Sequence, residues 1–339
     1  MKKISLFLIA LLFASIPSFA DTRASILLLH NGQGKSFDAA QLQQAVNEAI
    51  SGDTICLSVG TFPISDTLLI DKAVTIIGNG ETTKVQGCIK IGIPDGPTLS
   101  NSLLSSIRVT GCVFVSKELH GLKLKKCWLD RHFYATGTLT DLFIDRCYMM
   151  CFVPTSYIKS ALISNSILYC VGDEAKEQSK QNPWSIGNEL TFFNCSIGYV
   201  KVVNASSGTQ KICDVTFVNS IICSYGSGNS NISNNTLINT LLNYSYLDSS
   251  DTMANCYKQT LSVNPAYTNG WFPTFRMNGK DITDEALLEA GYIGNDGTVV
   301  GANGGNTPYT LQADGVRITE SVLKVDPVTR QLNVTLKVE

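Results

Sequence analysis

One short phrase recurs seven times along this chain, and it limits the possible folds more than any other feature. It runs apolar, any, apolar, any, turn residue, small residue, any, apolar. The copies are Ile107–Phe114, Leu122–Leu129, Leu142–Met149, a weaker Ala161–Leu168, Leu190–Ile197, Val215–Ile222 and Asn235–Leu242. The small-residue position holds Cys112, Cys127, Cys147, Ser166, Cys195, Ser220 and Thr240, at successive spacings of 15, 20, 19, 29, 25 and 20. The position before it holds Gly111, Lys126, Arg146, Asn165, Asn194, Asn219 and Asn239.

A period near twenty suits one coil of a solenoid, in which each repeat contacts only its neighbours. Within each phrase the alternation is that of a strand, with side chains pointing in and out by turns. No helix-length amphipathic stretch separates the copies, which argues against a leucine-rich-repeat horseshoe and against βαβ units. Stacked coils lie about 4.8 Å apart, so equivalent residues fall above one another. Asn165, Asn194, Asn219 and Asn239 are therefore expected to form an asparagine ladder, each amide bonding the next across a tight turn that asparagine tolerates. Cys112, Cys127, Cys147 and Cys195 are expected to form a second file. The chain has 11 cysteines. Most lie in apolar strand patterns, where a thiol fills space as a small hydrophobe. Stacked thiols are close enough for a disulfide, but side-chain direction decides whether one forms. Two wide spacings mark excursions from the coil, at Gly172 to Asn188 and at Asn204 to Lys211.

The ends of a solenoid need covers. Ser36 to Ile50 is expected to be a capping helix, with Leu42, Ala45, Val46, Ala49 and Ile50 on one face, Ser36 as N-cap and Gly52 closing it. After it come Gly52-Asp-Thr-Ile-Cys-Leu57, Gly60-Thr-Phe62, Leu68-Leu-Ile70 and Val74-Thr-Ile-Ile-Gly-Asn-Gly80. This order resembles the opening of pectate-lyase-like β-helix proteins. The resemblance is close over about residues 36 to 90 and continues as coil repeats to about 245. It implies an all-β fold: a right-handed parallel β-helix with an N-terminal capping helix and a small C-terminal β extension. The same opening precedes lyases, hydrolases, esterases and inert binders, so it implies fold rather than function.

The expected organisation is a signal peptide over 1–20, the β-helix and its cap over 21–262, and a C-terminal extension over 263–339. Lys2 and Lys3, the apolar run Ile4 to Ile16 and Ser18-Phe19-Ala20 have the form of a cleaved secretory signal. That run is too short to span a bilayer, and no transmembrane segment is expected in the mature chain. The protein is accordingly expected to be exported, to the periplasm, the outer cell surface or the medium. In the extension, Asp284 to Ala290 is expected to be a short helix with Thr283 as N-cap and Gly291 as stop. The glycines of Gly294 to Gly305 are expected to serve turns, and Val316 to Val338 two or three strands. These last strands are expected to pack on the helix or cover its end.

Only 16% of residues are charged and the net charge is −2, so the basic footprint of a nucleic-acid binder is missing. Leu29 to Ser36 ends like a phosphate-binding loop, but Leu29 stands where that loop needs glycine. The paired-aspartate, Gly-His-Gly and Arg-Ile-Lys motifs of polygalacturonate hydrolases are absent, as are the pectin methylesterase motifs and a clear Arg-x-x-Pro of pectate lyases. Histidines 30, 120 and 132 are scattered and there is no Cys-x-x-Cys, so no metal site is expected. Asp and Asn are abundant enough to leave calcium open, but no calcium loop is recognisable and no cofactor is expected.

The candidate chemical zone is Lys123, Lys125, Arg131, His132, Asp145 and Arg146. Lys125 and Asp145 should share a register on neighbouring rungs, close enough to pair. A lyase needs a base beside a uronate carboxylate and a cation to neutralise it, which Lys or His with Arg supplies. The plainer account is a solvated ion-pair surface. Farther on, the outward register becomes apolar at Phe193, Val218 and Ile238. Such a strip calls for a cover, from the C-terminal strands or a partner; uncovered, it suits a sugar face along with Tyr199, Tyr225, Tyr244 or Tyr246. Three functions follow: a non-catalytic binder of polysaccharide or cell-surface adhesin, a polysaccharide lyase or glycoside hydrolase acting on acidic glycans, and a structural assembly module. The sequence leaves oligomeric state open.

Overall fold

The structure is a computed structural model; it describes residues 24–93, 95–153, 157–173, 189–202, 212–225, 232–243, 249–264, 273–312, 318–325 and 332–338. The expected signal peptide, most of the first expected excursion, all of the second, and Tyr244 and Tyr246 lie outside the described residues. The chain forms a parallel β-solenoid of about eight turns. One wall is a twelve-stranded sheet, parallel from Thr54–Leu57 to Thr252–Ala254. A second wall is an eleven-stranded sheet, and short pairs such as Leu99–Ser100, Leu119–His120 and Leu139–Thr140 make a third face.

Strand alternation builds the core. On the twelve-stranded sheet Ile55, Ile76, Leu104, Leu124, Ile144, Ile163, Phe192, Phe217 and Leu237 stack in register with 0–1% exposure. Val85, Val109, Leu129, Met149, Leu168, Ile197, Ile222 and Leu242 answer them from the other wall, all at 0%. Phe133 stacks on Phe152, and Phe192 on Phe217 at 5.1 Å between ring centroids. Such aromatic files add to the burial of apolar area that holds a solenoid together.

The corner between the two large sheets turns at Ser106, Lys126, Arg146, Asn165, Asn194, Asn219, Asn239 and Asn255, all left-handed with φ between 45 and 54°. The structure corrects the phrase alignment at its first copy. Trp128 pairs with Arg108, so Cys127 stands over Ile107 rather than Cys112. The first spacing is thus 20, matching the steps from Cys127 to Cys147 and from Ser220 to Thr240. Cys112 belongs to another file, beside Cys88 and His132. The remaining small-residue file is buried as expected: Cys147 Sγ accepts the Cys127 N–H at 3.3 Å, and Ser166 Oγ accepts that of Cys147 at 3.0 Å. All eleven cysteines are free.

The asparagine ladder is also corrected. One rung-to-rung amide bond forms, from Asn239 Nδ2 to Asn219 Oδ1 at 3.3 Å. The other amides turn to the C-terminal segment: Asn165 Nδ2 donates to Gly304 O at 2.6 Å, Asn194 Nδ2 to Asp296 at 3.3 Å and Asn219 Nδ2 to Asn295 at 2.8 Å. The glycines of this segment therefore do more than turn. A Cβ on Gly294 would sit 2.6 Å from Cγ of Asn219, and one on Gly301 would meet Ile221 at 2.7 Å. They let the segment lie against the corner file.

At the N-terminal end, Ser25–His30 and Gln33–Asp38 form a hairpin that pairs antiparallel with Thr54–Leu57 and shields the edge. The capping helix is shorter than expected. A 3-10 turn, Ala39–Gln41, leads into α1, Leu42–Glu48. Ser36 lies in the hairpin strand, and Asp38 is the capping residue, in a reciprocal box with Gln41. Leu42, Ala45, Val46 and Ala49 are buried, but Ile50 is 54% exposed because the chain turns extended at Ala49. At the other end α2 is Asp284–Glu289, with Thr283 Oγ1 accepting the Ala286 N–H at 3.2 Å and Gly291 left-handed. Ile318–Val325 and Leu332–Val338 pair antiparallel.

Candidate functional site

The outer surface of the twelve-stranded sheet carries two side-by-side files. Parallel in-register pairing places Lys123, Phe143, Leu162, Thr191, Thr216, Thr236 and Thr252 one above another. Two residues along each strand, the neighbouring file is Ser105, Lys125, Asp145, Ser164, Phe193, Val218, Ile238 and Ala254. One end of the face is therefore cationic; the other is a hydroxyl file beside an apolar one. Lys123 is exposed, Leu162 is 40% exposed, and Phe143, Phe193, Val218 and Ile238 are half-buried.

The C-terminal region covers a different wall. Leu261, Val263, Leu287, Tyr292, Val299 and Val300 make a second core with Cys151, Tyr169, Cys170, Ile221 and Cys223 on the outside of the eleven-stranded sheet. Phe193, Val218 and Ile238 are not part of this second core. Tyr225, a sugar-stacking candidate only if the strip were uncovered, is fully buried in the solenoid core, and Tyr199 packs edge-on to Tyr169 in the second core.

Lys125 and Asp145 share a register as expected, but their side chains are otherwise engaged. Lys125 Nζ lies 5.9 Å from the centre of the Phe143 ring. Asp145 is buried, accepting from Arg146 Nε at 2.7 Å and from Ser164 Oγ at 3.0 Å. Arg146 sits at the corner. Arg131 and His132 lie on the eleven-stranded sheet, Arg131 within the bulge between Leu129 and His132 and His132 at its end. The six candidate residues therefore fall on two walls. The intervening corner at Lys126 places Lys123 and Lys125 on one side and His132 on the other.

A polar cluster not found from sequence lies on the eleven-stranded sheet. Lys84, Arg108, Trp128 and Tyr148 are in register on successive rungs. Arg108 grips Asp130 through Nε at 3.1 and 3.2 Å and through Nη2 at 3.1 Å, and its guanidinium lies 4.7 Å from the Trp128 ring centre. Beside it is a shallow cavity of about 460 Å³ lined by Gly60, Thr61, Glu81, Thr82, Lys84 and Arg108. In the sequence, Ile107–Phe114 satisfies the phrase five residues past the register the fold uses, which separates Arg108 from Trp128. Among the described residues no three His, Cys, Asp or Glu side chains converge as a metal site, and no helix is long and apolar enough to cross a membrane.

No protein-family model matches the chain, and no curated protein matches it. Among solved structures it is similar to one titled "Geobacillus virus E2 - ORF18", at 12% identity and a TM-score of 0.35 over 90% of this chain and 84% of that one.

Proposed function

We propose that this is an exported, non-catalytic β-solenoid that binds an acidic polysaccharide along the outer face of its twelve-stranded sheet. The observation that carries the reading is the pair of adjacent files on that face. Thr191, Thr216, Thr236 and Thr252 present hydroxyls beside the apolar Phe193, Val218 and Ile238, and both files continue to Lys123 and Lys125. A sugar ring offers C–H faces and hydroxyl edges, which an apolar strip flanked by hydroxyls complements. The lysines supply positive charge for carboxylates, and such attraction weakens with salt. A solenoid wall keeps this pattern constant over several rungs, which suits a ligand that is itself a repeating polymer. Export follows the Lys2 to Ala20 leader pattern.

Affinity electrophoresis and calorimetry against polygalacturonate, alginate and a neutral glucan test the reading. Binding to the acidic polymers is expected, falling at least fivefold in K123A/K125A and lost in V218D, with no unsaturated uronate released. Binding unchanged in both variants overturns the proposal. Release of unsaturated product, abolished by Lys125→Ala, replaces it with a lyase. A concentration-dependent dimer lost in V218D replaces it with an assembly module.

A further inference from the structure

Gly87-Cys88 and Gly111-Cys112 are two copies of one dipeptide, and the fold stacks them. Ile89 pairs with Val113 on adjacent parallel strands, so the preceding cysteines share a register. Ile89 and Val113 point into the core at 0% exposure, and alternation turns both thiols outward, where they are half-buried. The Cys112 N–H donates to Cys88 Sγ at 3.3 Å. Directly opposed residues of a sheet have Cα atoms about 4.8 Å apart, within the range that a disulfide spans.

The glycines make this juncture different from the buried Cys127–Cys147 contact. The Gly111 N–H donates to Gly87 O at 3.0 Å. A Cβ on Gly111 would stand 2.6 Å from the Gly87 carbonyl carbon and 2.7 Å from Cys88 N. The backbones thus approach more closely than residues with side chains allow, directly before the two sulfurs. Gly87 holds a φ of 147°, a region open to glycine, so this strand has conformational room to adjust as the sulfurs bond.

We propose that Cys88 and Cys112 form a disulfide that ties these two rungs together when the protein meets a disulfide oxidant such as oxidised glutathione. One cysteine thiolate attacks a glutathione sulfur, breaking that S–S bond and releasing one glutathione thiolate. The second cysteine thiolate then attacks the protein–glutathione mixed disulfide and releases the other. Two protein thiols are oxidised, one glutathione disulfide is reduced to two thiols, and the two cysteine protons pass to the departing thiolates. The site is on a different wall from the proposed glycan face and stands independently of it.

The test uses the full chain, incubated with oxidised glutathione, then blocked with iodoacetamide and digested without reduction. The expected result is a Cys88–Cys112 cross-linked peptide and a fall in thiol content from 11 to 9. In Cys88→Ser the cross-link is absent and Cys112 carries glutathione instead. The proposal is overturned if both cysteines in the wild-type chain are alkylated as fully as without oxidant. It is equally overturned if they appear only as separate glutathione adducts, or if Cys88→Ser still loses two thiols to an internal bond.

Discussion

Asn219 and Asn295 grip each other in both directions: Asn219 Nδ2 donates to Asn295 Oδ1 at 2.8 Å, while Asn219 Oδ1 accepts the Asn295 backbone N–H at 3.1 Å. The Gly301 N–H adds a bond to Asn219 O at 2.7 Å. One corner residue thus clamps a segment more than seventy positions later. Asn219 is fully buried and left-handed, so it serves the coil and the clamp at once.

Replacing Asn219 separates these roles. Asn219→Gly keeps the left-handed turn but removes the amide, and is expected to cost about 1–3 kcal/mol through the orphaned partners. Asn219→Ala adds the left-handed penalty of about 1–2 kcal/mol. Urea unfolding measures the totals, and hydrogen exchange over Gly294 to Gly305 should report faster opening in both variants.

The same segment offers a paired glycine test. Gly294→Ala drives a Cβ into Asn219 and is expected to destabilise by about 1–3 kcal/mol. Gly297→Ala meets no neighbour and bears only the strain of its positive φ of 78°, about 1 kcal/mol. Equal losses in thermal melts would contradict a clamp that depends on close approach.

Acid should loosen the clamp. Burial pushes the Asp296 carboxyl upward, but the N–H and hydroxyl of Thr298 and the Asn194 amide outweigh it and hold the group below its ordinary 3.8. Its stabilising contribution is present above 3.8 and is lost as pH falls through the lowered folded value. Asp296→Asn is expected to flatten this acid limb in pH-dependent melts.

Alkali acts on the core. Burial pushes the Cys195 and Cys223 thiols from an ordinary 9.0 up to about 12. Both stay neutral when folded, while the unfolded chain ionises first. Their contribution is complete below about 9 and declines as pH rises to about 12, by on the order of 1 kcal/mol per site per pH unit. Cys195→Ser is expected to be less stable at neutral pH and to show a shallower alkaline decline.

The Arg108–Asp130 pair should couple measurably. Both side chains are only about a fifth exposed, and the contact is two-pronged. A double-mutant cycle with Arg108→Met and Asp130→Asn is expected to give about 1 kcal/mol, reduced by salt. Arg108→Met alone retains an aliphatic stem against Trp128.

The coil was legible because its requirements are local. Asn165, Asn194, Asn219 and Asn239 stand where the backbone turns left-handed, a conformation few side chains accept. Thr283 announced α2 by the same logic, since an N-cap bonds within one turn. The Cys112 alignment failed because Ile107–Phe114 satisfies the phrase locally but pairs elsewhere in space. Ser36 failed as a cap because the antiparallel hairpin claimed it first. Lys84 and the Arg108–Asp130 pairing escaped notice because residues more than twenty positions apart meet only once register is set.

Alternation, period and corner residues belong to the chain itself, and they suffice to specify a parallel solenoid with capped ends. Which thiol stands over which, which wall the C-terminal segment covers, and where the asparagine amides point were settled by tertiary structure alone. The physical reason is that backbone preference acts within a few residues, whereas register and side-chain pairing minimise the free energy of surfaces brought together from distant parts of the sequence.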